Sequence, residues 1–342
     1  MSGFFEIIKQ YYVKGAVISA LVTEGENEGA KALWTKAEGY IFTEGSSVFW
    51  RGVAASFDQI EGVSLLEVGS SKVFFEVING VPNLIICGGG HISLPLADFG
   101  KKLDFRVTVI EDRKEMAIPL RFPTADSILA MDFTEALAEV RDDVNNYYVI
   151  VTRDPYYDII CLEQILRCPH AYIGMIGNKN RVAKVRKGLT EAGFSREAIA
   201  GIYSPVGLKI GAETPAEISI AILAEIIKVK NAKVGGMGYD EKMLTLLTKP
   251  ADSAKPKCLA TIVNRLGSMP RQISTKMLVL ADGRCIGTIG GGMAEEEIRK
   301  TALQVMSQGL PCCVGVDITG KHIKEGEAYT GGVIEVYLEP CL

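Results

Sequence analysis

Histidine is scarce: the 342 residues hold only three, His91, His170 and His322. No two of them stand at the spacing of zinc ligands, which excludes a histidine-rich metal site and argues against a histidine-centred hydrolase. Cysteine is present eight times, at 87, 161, 168, 258, 285, 312, 313 and 341, but without pattern. None forms a CxxC pair, and the adjacent Cys312 and Cys313 are poorly placed for an ordinary disulfide. They are expected to be reduced and mostly buried. No apolar run approaches the roughly 18 residues of a membrane span. The opening "MSGFFEIIKQYYVKG" carries charges in its first ten residues and has neither an h-region nor a small-residue cleavage site, so a cytoplasmic protein is expected. Charge of one sign is lacking too. Net charge is −4, with acids and bases interspersed, which excludes nucleic acid or an acidic membrane surface as main partner.

What is present is apolar patterning. Hydrophobic residues make up 48% of the chain, enough for ordinary cores without metals or disulfides. Its length suits two or three domains of about 150 residues each. Over residues 83–227, unbroken apolar runs such as "NLIICGG", "RVTVIED", "YYVIVT" and "AYIGMIG" alternate with stretches of helical period. Strands of that kind, alternating with helices, predict a doubly wound α/β domain with a parallel sheet covered on both faces. The last helix opens on Thr214-Pro215-Ala216-Glu217, a capping box with proline at its first position.

The flanks echo one another. Lys31-Ala32-Leu33 aligns with Lys276-Met277-Leu278, and Ala37-Glu38-Gly39 with Ala281-Asp282-Gly283 after one residue of slippage. "EVGSSKVFFEVI" echoes "AYTGGVIEVYLE" near the C-terminus. Both flanks read as strand, turn and strand, either as a degenerate repeat or as two unrelated β-rich segments. The expected division is a β-rich segment at 1–80, the α/β domain at 81–230, a linker at 231–257 and a second β-rich domain at 258–342. Gly, Pro, Ser and Lys mix over 235–257, which supports the linker.

Two anion-type glycine turns and one basic helix start are candidates for a site. In "CGGGHIS" the glycines Gly88, Gly89 and Gly90, with His91, join the first apolar run to a helix. Gly88 and Gly90 fit the first two glycines of a dinucleotide fingerprint, and Ser93 stands where the third belongs. Amides at the following helix start would favour an anion. Glu111 and Asp112 close the next strand, where an acid usually holds a ribose hydroxyl, and Arg113 follows, able to face a phosphate. The alternative is a tight turn with no ligand. Lys179 and Arg181, in "IGNKNR", lie on the same carboxyl edge, as ligand contacts or as a solvated basic face. In "GTIGGGMAEEEI", Gly290, Gly291 and Gly292 precede an acid-rich helix, whereas the matching "FTEGSS" has lost two glycines.

"CGGGHISLPLADFGKKLDFRVTVIEDR", "AYIGMIGNKNR", "SPVGLKIGAETPAEISIAILAEII" and "LGSMPRQISTKMLVLADGRCIGTIGGGMAEEEI" together resemble the XdhC/CoxI family of xanthine dehydrogenase accessory factors. The order is unusual, because the GTIGGG domain commonly precedes the Rossmann-type domain and here follows it. The resemblance implies a Rossmann-like doubly wound sheet flanked by smaller β-rich segments. It also implies a protein that binds molybdenum cofactor (molybdopterin), assists its sulfuration by a cysteine desulfurase-type donor, and delivers it to an apo xanthine dehydrogenase-type molybdenum hydroxylase. Where the family often has cysteine this chain has Met293, its terminal CGG becomes Thr330-Gly331-Gly332, and the histidine of its TRxH stretch is Pro155. Cys87 is then the remaining candidate for a sulfur or molybdenum contact, against its reading as a small buried strand residue.

The expected role is therefore a cofactor-binding accessory factor rather than a catalyst. The alternatives are an NAD(P)-dependent oxidoreductase, for which neither His91 nor His170 is an obvious acid-base residue, and a non-catalytic dimeric scaffold. A homodimer is expected, since the sheets leave apolar edges for a two-fold partner.

Overall fold

The computed structural model describes residues 2–11, 16–232, 239–249, 255–267, 272–317, 321–323 and 332–341. The departure from the family pattern at Thr330-Gly331 lies outside them. The chain divides into two compact units, Val81–Lys233 and the combination of Met1–Gly80 with Val234–Leu342. No helix among the described residues is long and apolar enough to cross a membrane.

The first flank runs α1 (Ser2–Tyr11), β1 (Val17–Glu24), β2 (Lys31–Thr35), β3 (Gly39–Thr43), α2 (Ser47–Phe57), β4 (Val63–Val68) and β5 (Ser71–Ile78). Its strands form an antiparallel sheet ordered β3-β2-β1-β5-β4. Strand period places Ile18, Ala20 and Val22 on one face of β1, where they pack with Trp50, Val53 and Phe57 of α2. Ser46 caps α2, its Oγ accepting from Phe49 N.

The central unit holds β6 (Asn83–Cys87), α3 (Ser93–Lys102), β7 (Arg106–Ile110), β8 (Ser127–Leu129), α4 (Phe133–Glu139), β9 (Asn146–Ile150), α5 (Pro155–Ile165), β10 (Tyr172–Met175), α6 (Lys179–Glu191), α7 (Arg196–Ala200) and α8 (Pro215–Ala232). All five strands pair in parallel, in the order β10-β9-β6-β7-β8. Leu84 and Ile86 bury against α3 and α8 on one face, while Ile85 and Cys87 bury against α4, α5 and α6 on the other. Burial on both faces is why these strands read as continuous apolar runs. The mixed α/β architecture is the one expected.

The last flank contains α9 (Glu241–Thr248), β11 (Lys257–Leu266), β12 (Lys276–Leu280), β13 (Cys285–Gly287), α10 (Gly292–Gln308), β14 (Cys312–Asp317), β15 (His322–Ile323) and β16 (Val333–Cys341). Its sheet order, β13-β12-β11-β16-β14-β15, repeats that of the first flank with one strand added. The stretch expected to be a linker thus includes α9. Asp240 caps it through Lys242 N and Met243 N, and Met243, Leu244 and Leu247 are core residues. Lysine and glycine around it masked a short amphipathic helix.

The two flanks build one unit rather than two separate domains. Each sheet has a second apolar face that its own helix cannot cover. Leu33 meets Leu278 and Leu259 in one cluster, and Leu21 and Phe74 meet Val263 and Tyr337 in another. The copies match in detail. Lys31 stands opposite Leu21 as Lys276 stands opposite Thr261, and Glu76 opposite Ser19 as Glu339 opposite Leu259. Both central strands bulge at the same place, between Val22 and Glu24 and between Ile262 and Asn264.

Candidate functional site

β6 ends in the glycine turn. Gly88 has φ +120°, and a Cβ there would stand 2.5 Å from Val151 O, so only glycine fits. A Cβ at Gly89 would press on the Glu111 side chain at 3.0 Å, whereas one at Gly90 would meet nothing within 4 Å. Ser93, in the place of a third glycine, is buried and donates its hydroxyl to Gly88 O at 2.6 Å. The small side chain thus lets helix and strand pack closely and also ties the turn. Ile92 at the start of α3 supplies no side-chain cap. Pro95 in the first turn of α3 has no N–H and Leu96 N donates to Ile92 O, so Ser93 and Leu94 carry the first-turn amides that helix geometry leaves without an intrahelical acceptor.

Glu111 is almost fully buried and already engaged. Its carboxylate accepts from Gly89 N (2.6 Å), Arg113 Nε (2.7 Å), Arg113 Nη2 (3.0 Å) and Arg113 N (3.2 Å). Asp112 receives a bidentate pair from Arg153, at 2.6 and 2.7 Å, and those bonds hold its carboxyl at about 2. The Arg153 guanidinium lies 3.9 Å over the Tyr157 ring. The three sequence-predicted residues Glu111, Asp112 and Arg113 thus come together as one ion-pair network that braces the turn from below.

A cleft of about 470 Å³ opens beside the turn. Its walls come from Gly90 to Ser93 after β6, Val151 and Thr152 after β9, Ile176 to Asn178 after β10, and Pro215 and Ile218 of α8. Chain order reverses between β6 and β9, so the cleft occupies the topological switch point of the sheet. His91 is exposed at its rim, and Glu213 adds a carboxylate there. Arg181 enters the cleft from α6. Its Nε and Nη2 donate to the wholly buried Asp158 at 2.7 and 2.8 Å, and Nη2 also reaches Thr152 O at 2.9 Å. Lys179 is exposed at the start of the same helix. Ser219, buried on α8, donates to Ile92 O and fastens that helix to the turn.

Cys87 lies in the core beneath the turn, packed near Cys161, whose thiol burial pushes well up. A thiol so enclosed is inert. The other glycine turn sits in the β-rich unit. Gly290, Gly291 and Gly292 have φ of +139°, +76° and +68°. Their nest is filled by the chain's own Glu295, which accepts from Thr288 Oγ1, from Gly291 N at 3.0 Å and from Ile289 N at 3.3 Å. Met293 beside it is exposed.

Sequence reasoning missed Asp158, Thr152 and Arg153. Asp158 looked like an ordinary first-turn acid of α5, and nothing local signals its pairing with an arginine 23 residues later. Arg153 stands in "TRDPYYD" ahead of an Asp-Pro helix start, a place where a loop cation could have been suspected.

Similarity to known proteins follows the same division. Residues 84–226 match the XdhC Rossmann domain, and residues 251–317 match the XdhC and CoxI family. The chain is 34% identical over 170 residues to the uncharacterized protein YqeB of Escherichia coli, covering 49% of this chain and 31% of that protein. It is 30% identical over 161 residues to a probable xanthine dehydrogenase subunit of Bacillus subtilis, covering 47% of each. The chain thus spans less than half the length of these curated relatives. In fold it resembles the crystal structure of a xanthine dehydrogenase from Bacillus halodurans, with TM-score 0.54, 24% identity and 66% of each chain covered. The two domain matches together take in more than half of the chain, and the chain belongs to the XdhC and CoxI family.

Proposed function

We propose that the chain is an accessory protein of a xanthine dehydrogenase-type molybdenum hydroxylase, and that it holds molybdenum cofactor in the switch-point cleft. The client comes from the relatives, one of which is named a probable xanthine dehydrogenase subunit. One observation carries the choice of ligand. The cleft has an uncapped helix start and an open Gly90 for a phosphate, yet Glu111, the acid that a ribose would need, is committed to Gly89 and Arg113. A pterin with a single phosphate asks for the first feature and not the second. Ile92, Val151, Ile176 and Ile218 supply apolar walls against which a flat ring can lie.

In this reading the α3 amides and Gly90 hold the phosphate, and Arg181, fixed by Asp158, presents its remaining N–H groups to the ring's polar edge. When bound, the cofactor would supply the redox chemistry of the client; this chain's residues bind it and exclude water. With Cys87 buried, sulfur transfer falls to a separate cysteine desulfurase-type donor. The oxidoreductase alternative requires Glu111 to leave its partners before NAD(P) could enter.

The test is mass spectrometry of the small molecule released from the purified chain, with molybdenum counted on the same sample. A molybdopterin is the expected species. An adenine dinucleotide in its place overturns the assignment and favours the oxidoreductase.

A further inference from the structure

The β-rich unit holds a cavity of about 430 Å³, built from both copies and separate from the glycine turns' chemistry. Lys31, paired with Glu339, and Tyr337 line it, together with Glu26 and Glu28 of the β1–β2 turn and Glu44 after β3. Tyr337 is 0% exposed, and its hydroxyl finds no hydrogen-bond partner among the described residues. The hydroxyl lies close behind Gly29 of the cavity lining: a Cβ added to Gly29 would stand 3.7 Å from Tyr337 Oη.

A buried hydroxyl left unpaired is destabilising. The sister copy does without one. Phe74 stands opposite Leu21 in β1, the register position that Tyr337 occupies opposite Thr261 in β11. Packing at that position therefore needs the ring and not the hydroxyl. The cavity is also short of positive charge. Its one lysine pairs with Glu339 and is also drawn toward Glu44, and among the described residues no cation lies within salt-bridge distance of Glu26, Glu28 or Glu44. Partial burial, and then Glu24, push the Glu28 carboxyl up, as expected of an acid without a counter-charge. A metal ion is not the natural occupant, because no described group of three or more His, Cys, Asp or Glu side chains is arranged to hold one.

We infer that this cavity binds a small organic cation, an ammonium or guanidinium group on a short carbon chain, through Tyr337 Oη and the Glu28 and Glu44 carboxylates. The test uses the full chain and calorimetric titration with agmatine and with putrescine, at ionic strength matched with NaCl, against Tyr337→Phe and Glu28→Gln. Saturable binding of either amine to the wild type is expected, weakened about tenfold or more in each variant. Tyr337→Phe without ligand should melt at or above the wild-type temperature, since it removes an unpaired hydroxyl at a position where phenylalanine already serves the other copy. Three results overturn the inference: no saturable binding of either amine beyond the NaCl control, equal binding in wild type and both variants, or a Tyr337→Phe protein that melts lower without ligand. The last would mean that the hydroxyl is satisfied by water and serves structure alone.

Discussion

Lys276 Nζ lies 2.5 Å from Glu76 Oε2, two hundred residues earlier in the chain, and both side chains are buried. The relationship is reciprocated: Lys31 of the first copy reaches Glu339 of the second, with both again buried. Lys31 and Lys276 hold equivalent register positions, as do Glu76 and Glu339. Each copy therefore gives its lysine to the other's glutamate, the exchange that a two-fold axis produces in an isologous dimer. One chain carries both halves. Ser274 adds a hydrogen bond to Glu76 at 2.5 Å, and the Lys276 ammonium lies 4.7 Å from the Tyr239 ring.

Breaking one such pair should be costly and replacing it mild. Lys276→Met leaves Glu76 buried without a cation and should destabilise by about 3–5 kcal/mol. Lys276→Met with Glu76→Leu should recover most of that loss. Both tryptophans, Trp34 and Trp50, belong to the β-rich unit. Urea denaturation followed by tryptophan fluorescence therefore reads this unit alone. A double variant as unstable as the single one would show that specific packing around the ions, rather than their charge, governs the unit.

Lys31-Ala32-Leu33 and Lys276-Met277-Leu278 were legible as a repeat because strand residues keep their period and composition when a fold is duplicated. The parallel sheet was legible for the same kind of reason: buried strands such as Leu84-Ile85-Ile86 have no polar face to confuse them. The joining of the flanks was not legible, because the second apolar face of β1 and β11 looks the same whether it meets another domain or its own duplicate. Gly88 and Gly90 could be assigned to the first two places of a glycine fingerprint, but that only the first is sterically obligatory depends on the position of Val151 O, which no local pattern reveals. Glu111 stood where a ribose-binding acid stands in sequence, and only its contact with Gly89 N shows that it is committed within the protein. Long-range polar pairing leaves no periodic trace.

The Asp112–Arg153 pair makes a pH prediction for the α/β unit. The Asp112 carboxyl lies at about 2, below its ordinary 3.8, chiefly because of the hydrogen bonds from Arg153. A depressed carboxyl stabilises the folded state fully above its unfolded value, and that contribution fades as pH falls from about 4 through about 2. Its size is on the order of 2 kcal/mol at neutral pH. Arg153→Met should remove most of it, so that wild type and variant converge in stability near pH 2. Circular dichroism melts from pH 2 to 7 would check this, and a constant gap across that range would assign the effect to the lost Tyr157 stacking instead.

Glu295 and Ser46 start equivalent helices by different means. Ser46 caps α2 through its own hydroxyl, while Gly291 has no cap side chain and depends on the Glu295 carboxylate. Glu295→Ala should therefore cost about 1–2 kcal/mol, comparable with Ser46→Ala at about 1 kcal/mol. Tryptophan fluorescence and denaturant midpoints would measure both. A neutral Glu295→Ala would mean that the nest releases its carboxylate readily and is open to an outside anion.

Gly88 and Gly90 separate folding from binding in the cleft. Gly88→Ala places a Cβ 2.5 Å from Val151 O at a φ of +120°, so it should destabilise the α/β unit by several kcal/mol or prevent folding. At Gly90 a Cβ meets nothing within 4 Å, and the backbone is not left-handed. Gly90→Val should then melt within about 0.5 kcal/mol of the wild type. Its methyl groups would instead occupy the space above the α3 amides, where the phosphate is proposed to sit. The decisive measurement is a pair of affinities on each protein, for a phosphorylated and a dephosphorylated pterin. In the wild type the phosphate should strengthen binding by at least tenfold, through charge-assisted bonds to the helix start. In Gly90→Val that advantage should shrink toward unity, while the dephosphorylated pterin binds nearly as before. If both pterins weaken by one common factor, the side chain merely obstructs the cleft and the triple glycine is a turn without a phosphate.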